Sequence, residues 1–88
     1  MITPKLVAEK LSAYLCHKID IADLVDWAEK VMMENEFEQR HYETLQEIVS
    51  RLGVADVRAF GLTWEDCERF LNKLGYAVRV EVVENSAV

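Results

Sequence analysis

The sequence predicts a mainly α-helical fold: a compact bundle of about four short helices, followed by one β-strand near the C-terminus. Apolar residues recur at three- and four-residue intervals in four segments, three of which begin at a residue suited to cap a helix. After Gly75 the period changes to two, because Val78, Val80 and Val82 alternate with charged residues. With 88 residues, 51% hydrophobic and 30% charged, the chain has the composition of a single globular domain over residues 1–88.

The first helix is predicted over residues 4–17. Thr3 is suited to its N-cap and Pro4 to its first turn, because the N–H that proline lacks would have no partner inside the helix. Cys16 and His17 are adjacent near its end, where neighbouring side chains diverge by about 100° and cannot readily bind one metal ion together. The apolar stripe of this helix consists of Val7, Leu11, Tyr14 and Leu15.

The second helix, within residues 19–35, has the clearest start signal in the chain. Asp20 is the predicted N-cap, and Asp23 stands at the reciprocal position of a capping box. Ile19 and Leu24 stand at the positions of a hydrophobic staple, which fixes the angle at which the chain enters the helix. The apolar stripe comprises Ile21, Leu24, Val25, Ala28, Val31 and Met32, with Trp27 at its edge. We therefore expect one face in the core and the opposite, charged face in water.

The third helix is predicted over residues 39–52 and ends at Gly53. One broad side of this helix carries His41, Leu45, Ile48, Val49 and Leu52, with Tyr42 at its edge. His41 is a candidate pH-sensitive group because acidic residues are near it, but a structural role at the core boundary is favoured. The next segment, residues 54–62, fits either a helical turn or a short strand, and the turn is favoured.

The fourth helix is predicted to begin after the N-cap Thr63, with Asp66 at its capping-box position, and to stop at Gly75. Its core face comprises Trp64, Cys67, Phe70, Leu71 and Leu74. Cys67 is therefore expected to be a small core residue. Because Cys16 and Cys67 are the only cysteines and lie far apart in the sequence, neither a disulfide framework nor a zinc site is expected.

A β-strand is predicted from Tyr76 to Val83, and residues 84–88 are expected to form a frayed tail. One side of the strand is apolar and carries Val78, Val80 and Val82. The other side is charged and carries Arg79 and Glu81. A single strand leaves its backbone groups unpaired, so it requires a partner. That partner is residues 54–62, another protein, or the same strand of a second copy. In an antiparallel pair of copies, Arg79 and Glu81 would face each other.

The net charge of −6 is concentrated between residues 20 and 50, where nine acidic residues stand against Lys30 and Arg40. An acidic surface repels nucleic-acid phosphates, so nucleic-acid binding is not expected, whereas a basic protein would be attracted. No apolar run approaches the roughly 20 residues that cross a membrane, and the first residues lack a signal-peptide pattern. We therefore expect a cytoplasmic protein that does not bind membranes.

The sequence contains no recognisable catalytic motif. Its glycines, Gly53, Gly61 and Gly75, are scattered rather than grouped in a phosphate-binding loop. No H-E-x-x-H, nucleophile-elbow or EF-hand pattern occurs. Neighbouring carboxylates such as Asp23 and Asp26 have the spacing of solvated helix faces. We expect a protein that is not an enzyme and has no cofactor and no metal ion.

The residues predicted to bind a partner lie on the charged face of the second helix and in the connection after it. They are Asp23, Asp26, Lys30, Met33, Glu34, Glu36 and Glu38. In size, acidic charge and helical build the chain resembles bacterial immunity proteins that block basic nuclease toxins, and this resemblance implies a basic protein partner. We expect a small interaction domain that binds such a partner and forms a homodimer through its C-terminal strand. The alternative is an accessory or structural assembly domain whose acidic face serves only solvation.

Overall fold

The structure, a computed structural model, describes residues 1–34, 36–57 and 61–79. Four α-helices account for most of these residues. They are α1 (Pro4–Leu15), α2 (Ile21–Glu34), α3 (Tyr42–Leu52) and α4 (Trp64–Lys73), and a 3-10 turn (Gln39–His41) precedes α3. The predicted mainly helical fold is confirmed. None of these four helices is long and apolar enough to span a membrane.

The helices α1, α2 and α4 begin at the capping residues that the sequence predicts. The hydroxyl of Thr3 accepts a backbone N–H from the first turn of α1 at 3.2 Å. At α2, the N–H of Asp23 donates to Oδ1 of Asp20 at 2.9 Å, and the N–H of Asp20 donates to Oδ2 of Asp23 at 3.3 Å. Thr63 and Asp66 form the same reciprocal pair at α4, at 3.1 Å in both directions. Each pair satisfies a backbone donor that has no acceptor inside the helix.

The helix α1 ends two residues before its predicted end, because the chain turns at His17. This residue has a φ of 61°, in the left-handed region. Its N–H donates to the carbonyl of Tyr14 at 3.1 Å, and the N–H of Lys18 donates to the carbonyl of Ala13 at 2.8 Å. These two bonds form a Schellman motif, which satisfies the last carbonyls of the helix. As a result, Cys16 and His17 are exposed just before α2 begins.

The core lies between the facing sides of all four helices. Its largest fully buried side chains belong to the apolar stripes predicted from the sequence, and they are Val7, Leu11, Leu24, Leu45, Ile48, Val49, Leu52 and Cys67. The core positions predicted for Met32 and Trp64 are wrong, because both residues are exposed, and His41, predicted at the core boundary, is exposed as well. Each of these residues lies in the first or last turn of its helix or just before it, where the neighbouring helices do not cover the stripe.

The N-terminus joins the fold at a contact that the apolar stripes do not predict. The N–H of Ile2 donates to the carbonyl of Glu36 at 2.6 Å, and the N–H of Glu38 donates to the carbonyl of Ile2 at 2.8 Å. These bonds make a parallel β-bridge between Ile2 and Phe37. The ring of Phe37 packs edge-on against the ring of Tyr42, with their centroids 5.7 Å apart. The bridge therefore ties the start of α1 to the connection between α2 and α3.

Residues 53–57 form successive turns after α3. The N–H of Ala55 donates to the carbonyl of Leu52 at 3.2 Å, and the N–H of Val57 donates to the carbonyl of Val54 at 3.0 Å. For these residues the favoured prediction of a turn is confirmed. The next residues of that segment, 58–60, lie outside the described residues.

The predicted C-terminal strand is described only over residues 76–79. These residues form no β-ladder with another described residue, and the backbone N–H of Tyr76 donates instead to the carbonyl of Leu71 at 2.9 Å. The remaining residues of the predicted strand lie outside the described residues, and they are Val80, Glu81, Val82 and Val83. Residues 84–88 lie outside the described residues as well. The strand and its pairing therefore stay a prediction.

Candidate interaction surfaces

The acidic surface is the outer side of α2 together with the connection after it. Its predicted partner-binding residues Asp23, Asp26, Lys30, Met33, Glu34 and Glu36 are exposed, and Glu38 is half-buried. Residues three, four and seven positions apart lie on one side of an α-helix, which aligns four of these residues along α2. This strip consists of Asp23, Asp26, Lys30 and Met33, and the side chain of Met33 at its end is 87% exposed.

The carboxylates of the acidic surface differ in whether they have a partner. Asp23 is held in the capping box with Asp20. Glu38 contacts Nδ1 of His41 through Oε1 at 2.8 Å. Four other carboxylates form no ion pair with a described residue, and these belong to Asp26, Glu29, Glu34 and Glu36. These four groups can bind the cations of a partner without losing a bond within the described part of the chain.

A groove of about 500 Å³ runs between α1, α4 and residues 76–79, and we call it the α1–α4 groove. Its floor and walls are mainly apolar and include Ala8, Leu15, Leu71 and Val78. The aromatic rings of Trp64 and Tyr76 line it as well, and their side chains are 45% and 43% exposed. Its charged lining residues are Lys5, Glu9 and Arg79. The groove therefore combines half-exposed aromatic surface with cations, on a chain that is acidic as a whole.

The sequence predicts Trp64 on the core face of α4, whereas the structure places it at the edge of two grooves. Trp64 is the first residue of α4, and together with Leu15 it lines both the α1–α4 groove and a second groove of about 680 Å³. The second groove lies between the α1–α2 turn and the start of α4, and Cys67 also lines it. Trp64 directly follows the N-cap Thr63, and the sequence does not show whether a neighbouring element covers a side chain at a helix end.

The surroundings shift the pKa values of two side chains, Cys67 and Asp66. Burial raises the pKa of the Cys67 thiol to about 11, so the thiol stays protonated at neutral pH. The pKa of Asp66 is lowered chiefly because the backbone N–H of Thr63 donates to its carboxylate. The guanidinium groups of Arg69 and Arg51, at 2.8 Å and 3.5 Å, lower the pKa of Asp66 further, whereas burial opposes the shift. Neither group changes its protonation state near pH 7.

Metal-binding geometry is not found among the described residues, where no three His, Cys, Asp or Glu side chains come together as potential ligands. His41 lines neither the α1–α4 groove nor the second groove.

Comparison of the chain with protein-family models, curated proteins and solved structures finds no significant match.

Proposed function

We propose that this chain is a small cytoplasmic protein–protein interaction domain that binds a basic protein through its acidic surface. The observation that carries the proposal is Met33, whose side chain is 87% exposed beside carboxylates that form no ion pair with a described residue. Protein interfaces commonly have an apolar centre within a polar rim, and methionine adapts its shape to a partner. Along the helix, Asp26 and Lys30 lie seven and three positions before Met33 on the same side. The strip therefore offers one apolar contact with charged groups around it.

The negative charge of the acidic surface favours a partner with basic side chains. Carboxylates without an intramolecular cation attract Lys and Arg side chains, and paired hydrogen bonds from a guanidinium group add orientation. The partner we propose presents an apolar side chain for Met33 and basic residues for Asp26 and Glu34. Because exposed charges are screened by salt, such binding should weaken as the ionic strength rises.

The test compares two charge-reversal variants of the immobilised protein in capture of partners from a lysate of the source cells. Asp26→Lys with Glu34→Lys reverses the acidic surface, whereas Glu65→Lys with Glu68→Lys makes the same charge change on exposed residues of α4. We expect the first variant to lose a basic protein that the wild type and the second variant retain at low salt. Equal capture by both variants, or capture that is insensitive to salt, would contradict the proposal.

A second part of the proposal is self-association through the C-terminal strand, favoured by the environment of residues 77–79. Their backbone groups make no backbone hydrogen bond to a described residue. Val78 is half-buried against the core while Arg79 is exposed, which is the alternation that a half-buried strand requires. In the antiparallel pair that we propose, Arg79 of each copy faces Glu81 of the other, so two ion pairs form about one two-fold axis.

Sedimentation of the intact chain and of a chain ending at Gly75 tests this association. Arg79→Glu or Glu81→Arg alone places like charges opposite each other twice, whereas the double variant restores opposite charges. We expect each single variant to raise the dimer dissociation constant about tenfold or more, and the double variant to recover most of that loss. A monomeric wild type at about 1 mM, or equal behaviour of all variants, would overturn the dimer.

A domain that dimerises but loses no partner when Asp26 and Glu34 are reversed would instead fit an accessory role in assembly. In that case the acidic surface would contribute solubility, as a patch of solvated charge does.

A further inference from the structure

The α1–α4 groove leaves an unusual amount of aromatic surface in water. Trp64 and Tyr76 line it with nearly half of each side chain exposed, next to the apolar side chains of Leu15 and Leu71. Val78 lies in the same groove and packs partly against the core. Aromatic side chains that are half covered and border a groove are typical anchors of a protein interface.

We infer that the α1–α4 groove is the docking site for the C-terminal strand of a second copy of this chain, with Trp64 as its apolar anchor. This inference rests on the self-association proposed above and adds the surface that the paired strands cover. Residues 76–79 line the groove, so a strand that pairs with them is placed next to it. In an antiparallel pair, directly opposite residues share one face. With Arg79 facing Glu81 of the partner subunit, Val82 of the partner subunit falls opposite Val78, on the groove side.

The sequence of residues 80–84 favours a second copy over the same chain as the occupant. Residues 80–84 contain neither glycine nor proline, and Asn85 and Ser86 are the first residues there that favour a turn. An extended chain advances roughly 13 Å in four residues, away from the backbone it would have to pair with.

The other segment of the same chain that the sequence offers as a pairing partner is residues 54–62. Its described parts are residues 54–57 and residues 61–62, and none of these lines the α1–α4 groove. Leu62 lines the second groove instead, on the other side of Trp64. The described residues of this segment therefore contribute nothing to the lining of the α1–α4 groove.

Charge also matches the groove to the strand of a second copy. The lining of the groove contains the cations Lys5 and Arg79 against one acid, Glu9. After Arg79 the chain contains the acids Glu81 and Glu84 and no basic residue. In the proposed register Arg79 pairs with Glu81 of the partner subunit on the side of the strand away from Val78. Glu84 of the partner subunit lies opposite Tyr76, on the groove side, where the lining supplies Lys5 as a cation.

The experiment uses Trp64 as its own reporter in the intact chain with Trp27→Phe. We expect the fluorescence emission of Trp64 to shift to shorter wavelength with increasing protein concentration, over the same range in which sedimentation detects the dimer. A chain ending at Arg79, which keeps the groove but lacks the pairing residues, should show no such shift.

Two substitutions test the groove without relying on fluorescence. Trp64→Ala should raise the dimer dissociation constant at least tenfold, and so should Ser12→Glu, which adds an acid to an exposed position of the groove wall. The matched control is Met32→Ala, because Met32 is 42% exposed and does not line the groove. Circular dichroism establishes that each variant remains helical, and Ser12→Glu keeps the test valid if Trp64→Ala does not fold.

The outcomes separate this inference from the self-association on which it rests. A dimer whose formation leaves the emission of Trp64 unchanged, and which tolerates Trp64→Ala and Ser12→Glu, would overturn docking in the groove while leaving the strand-paired dimer intact. A chain that stays monomeric at about 1 mM would overturn both. A shift in Trp64 emission that accompanies dimer formation, with weakening by both groove variants, supports docking.

Discussion

Ile2 and Phe37 are paired by a parallel β-bridge, and each side chain is only 7% exposed. One of these residues precedes α1 and the other follows α2, so the bridge closes the first two helices into a unit. Both backbone groups of Ile2 are hydrogen-bonded: its N–H donates to the carbonyl of Glu36, and its carbonyl accepts from the N–H of Glu38. The start of the chain is therefore part of the core.

We predict that Ile2→Ala lowers the free energy of unfolding by about 2–5 kcal/mol, because it removes buried apolar surface and leaves a cavity beside Phe37. The matched control is Met1→Ala, since the side chain of Met1 is 78% exposed and should contribute little. Urea denaturation followed by circular dichroism measures both. Equal midpoints for the two variants would show that the buried side chain of Ile2 does not stabilise the fold.

Alanine substitutions at Gly75 and Gly53 should change the stability of the fold in different directions. Gly75 has a φ of +95°, a conformation in which alanine costs roughly 1–2 kcal/mol even though its Cβ would meet no atom within 4 Å. Gly53 has the helical φ of −65°, and the nearest atoms to an added Cβ are at 3.6 Å, an ordinary contact. We therefore expect Gly75→Ala to destabilise the chain and Gly53→Ala to be neutral or stabilising by roughly 0.4–1 kcal/mol. Thermal unfolding of the two variants provides the comparison, and a destabilising Gly53→Ala would contradict the described turn.

Asp66 should make the stability of the chain depend on pH in the acidic range. Its pKa is lower in the folded chain than in the unfolded chain, chiefly because of the backbone N–H of Thr63. A group of this kind stabilises the fold above its unfolded pKa, near 4, and the stabilisation is lost as the pH falls through the folded pKa. The urea midpoint of the wild type should exceed that of Asp66→Asn at pH 7, and the difference should shrink below about pH 4.

The control for this pH dependence is Glu65→Gln, which removes an exposed acid from the same turn of α4. Glu65 forms no ion pair with a described residue. The difference between the wild type and this variant should therefore vary less with pH. If Asp66→Asn and Glu65→Gln gave parallel curves, the capping box and the contacts to Arg51 and Arg69 would not be the cause.

The two cysteines should differ strongly in reactivity. Cys16 is exposed after α1, whereas Cys67 is fully buried and its pKa is raised to about 11 by burial. With a thiol-reactive dye at pH 8, we expect Cys16 to be labelled in the native chain and Cys67 to react on the order of a hundredfold more slowly, because it requires unfolding. Cys16→Ser should leave no rapidly reacting thiol, and labelling in denaturant should recover Cys67. Two equally fast thiols in the native chain would place Cys67 near solvent.

The helix starts were predictable from the sequence because capping is a local interaction. A side chain at Thr3, Asp20 or Thr63 bonds backbone groups two or three residues away, and no distant residue takes part. The end of α1 was predicted less well, because histidine is enriched in the left-handed region but the residue type alone does not fix that conformation at His17. Non-glycine residues adopt this conformation only when the surrounding structure stabilises it.

For the predicted partner-binding residues on α2, exposure followed from helical periodicity alone. The strip on α2 is set by the spacing of Asp26, Lys30 and Met33, which fixes their common side as soon as the helix forms. Periodicity could not place Trp64, because whether a residue at a helix end is covered depends on where another helix stops.

The sequence by itself determined the helical class, the starts of α1, α2 and α4, most of the core, and the location of the acidic charge. These properties depend on residue spacing and on bonds within one turn of a helix. Only the tertiary structure decided that Ile2 joins Phe37, that Trp64 borders a groove rather than the core, and that Glu38 has His41 as a partner. The bridge and the groove bring together residues far apart in the chain, and a pattern along the sequence carries no information about such distances until the helices have packed.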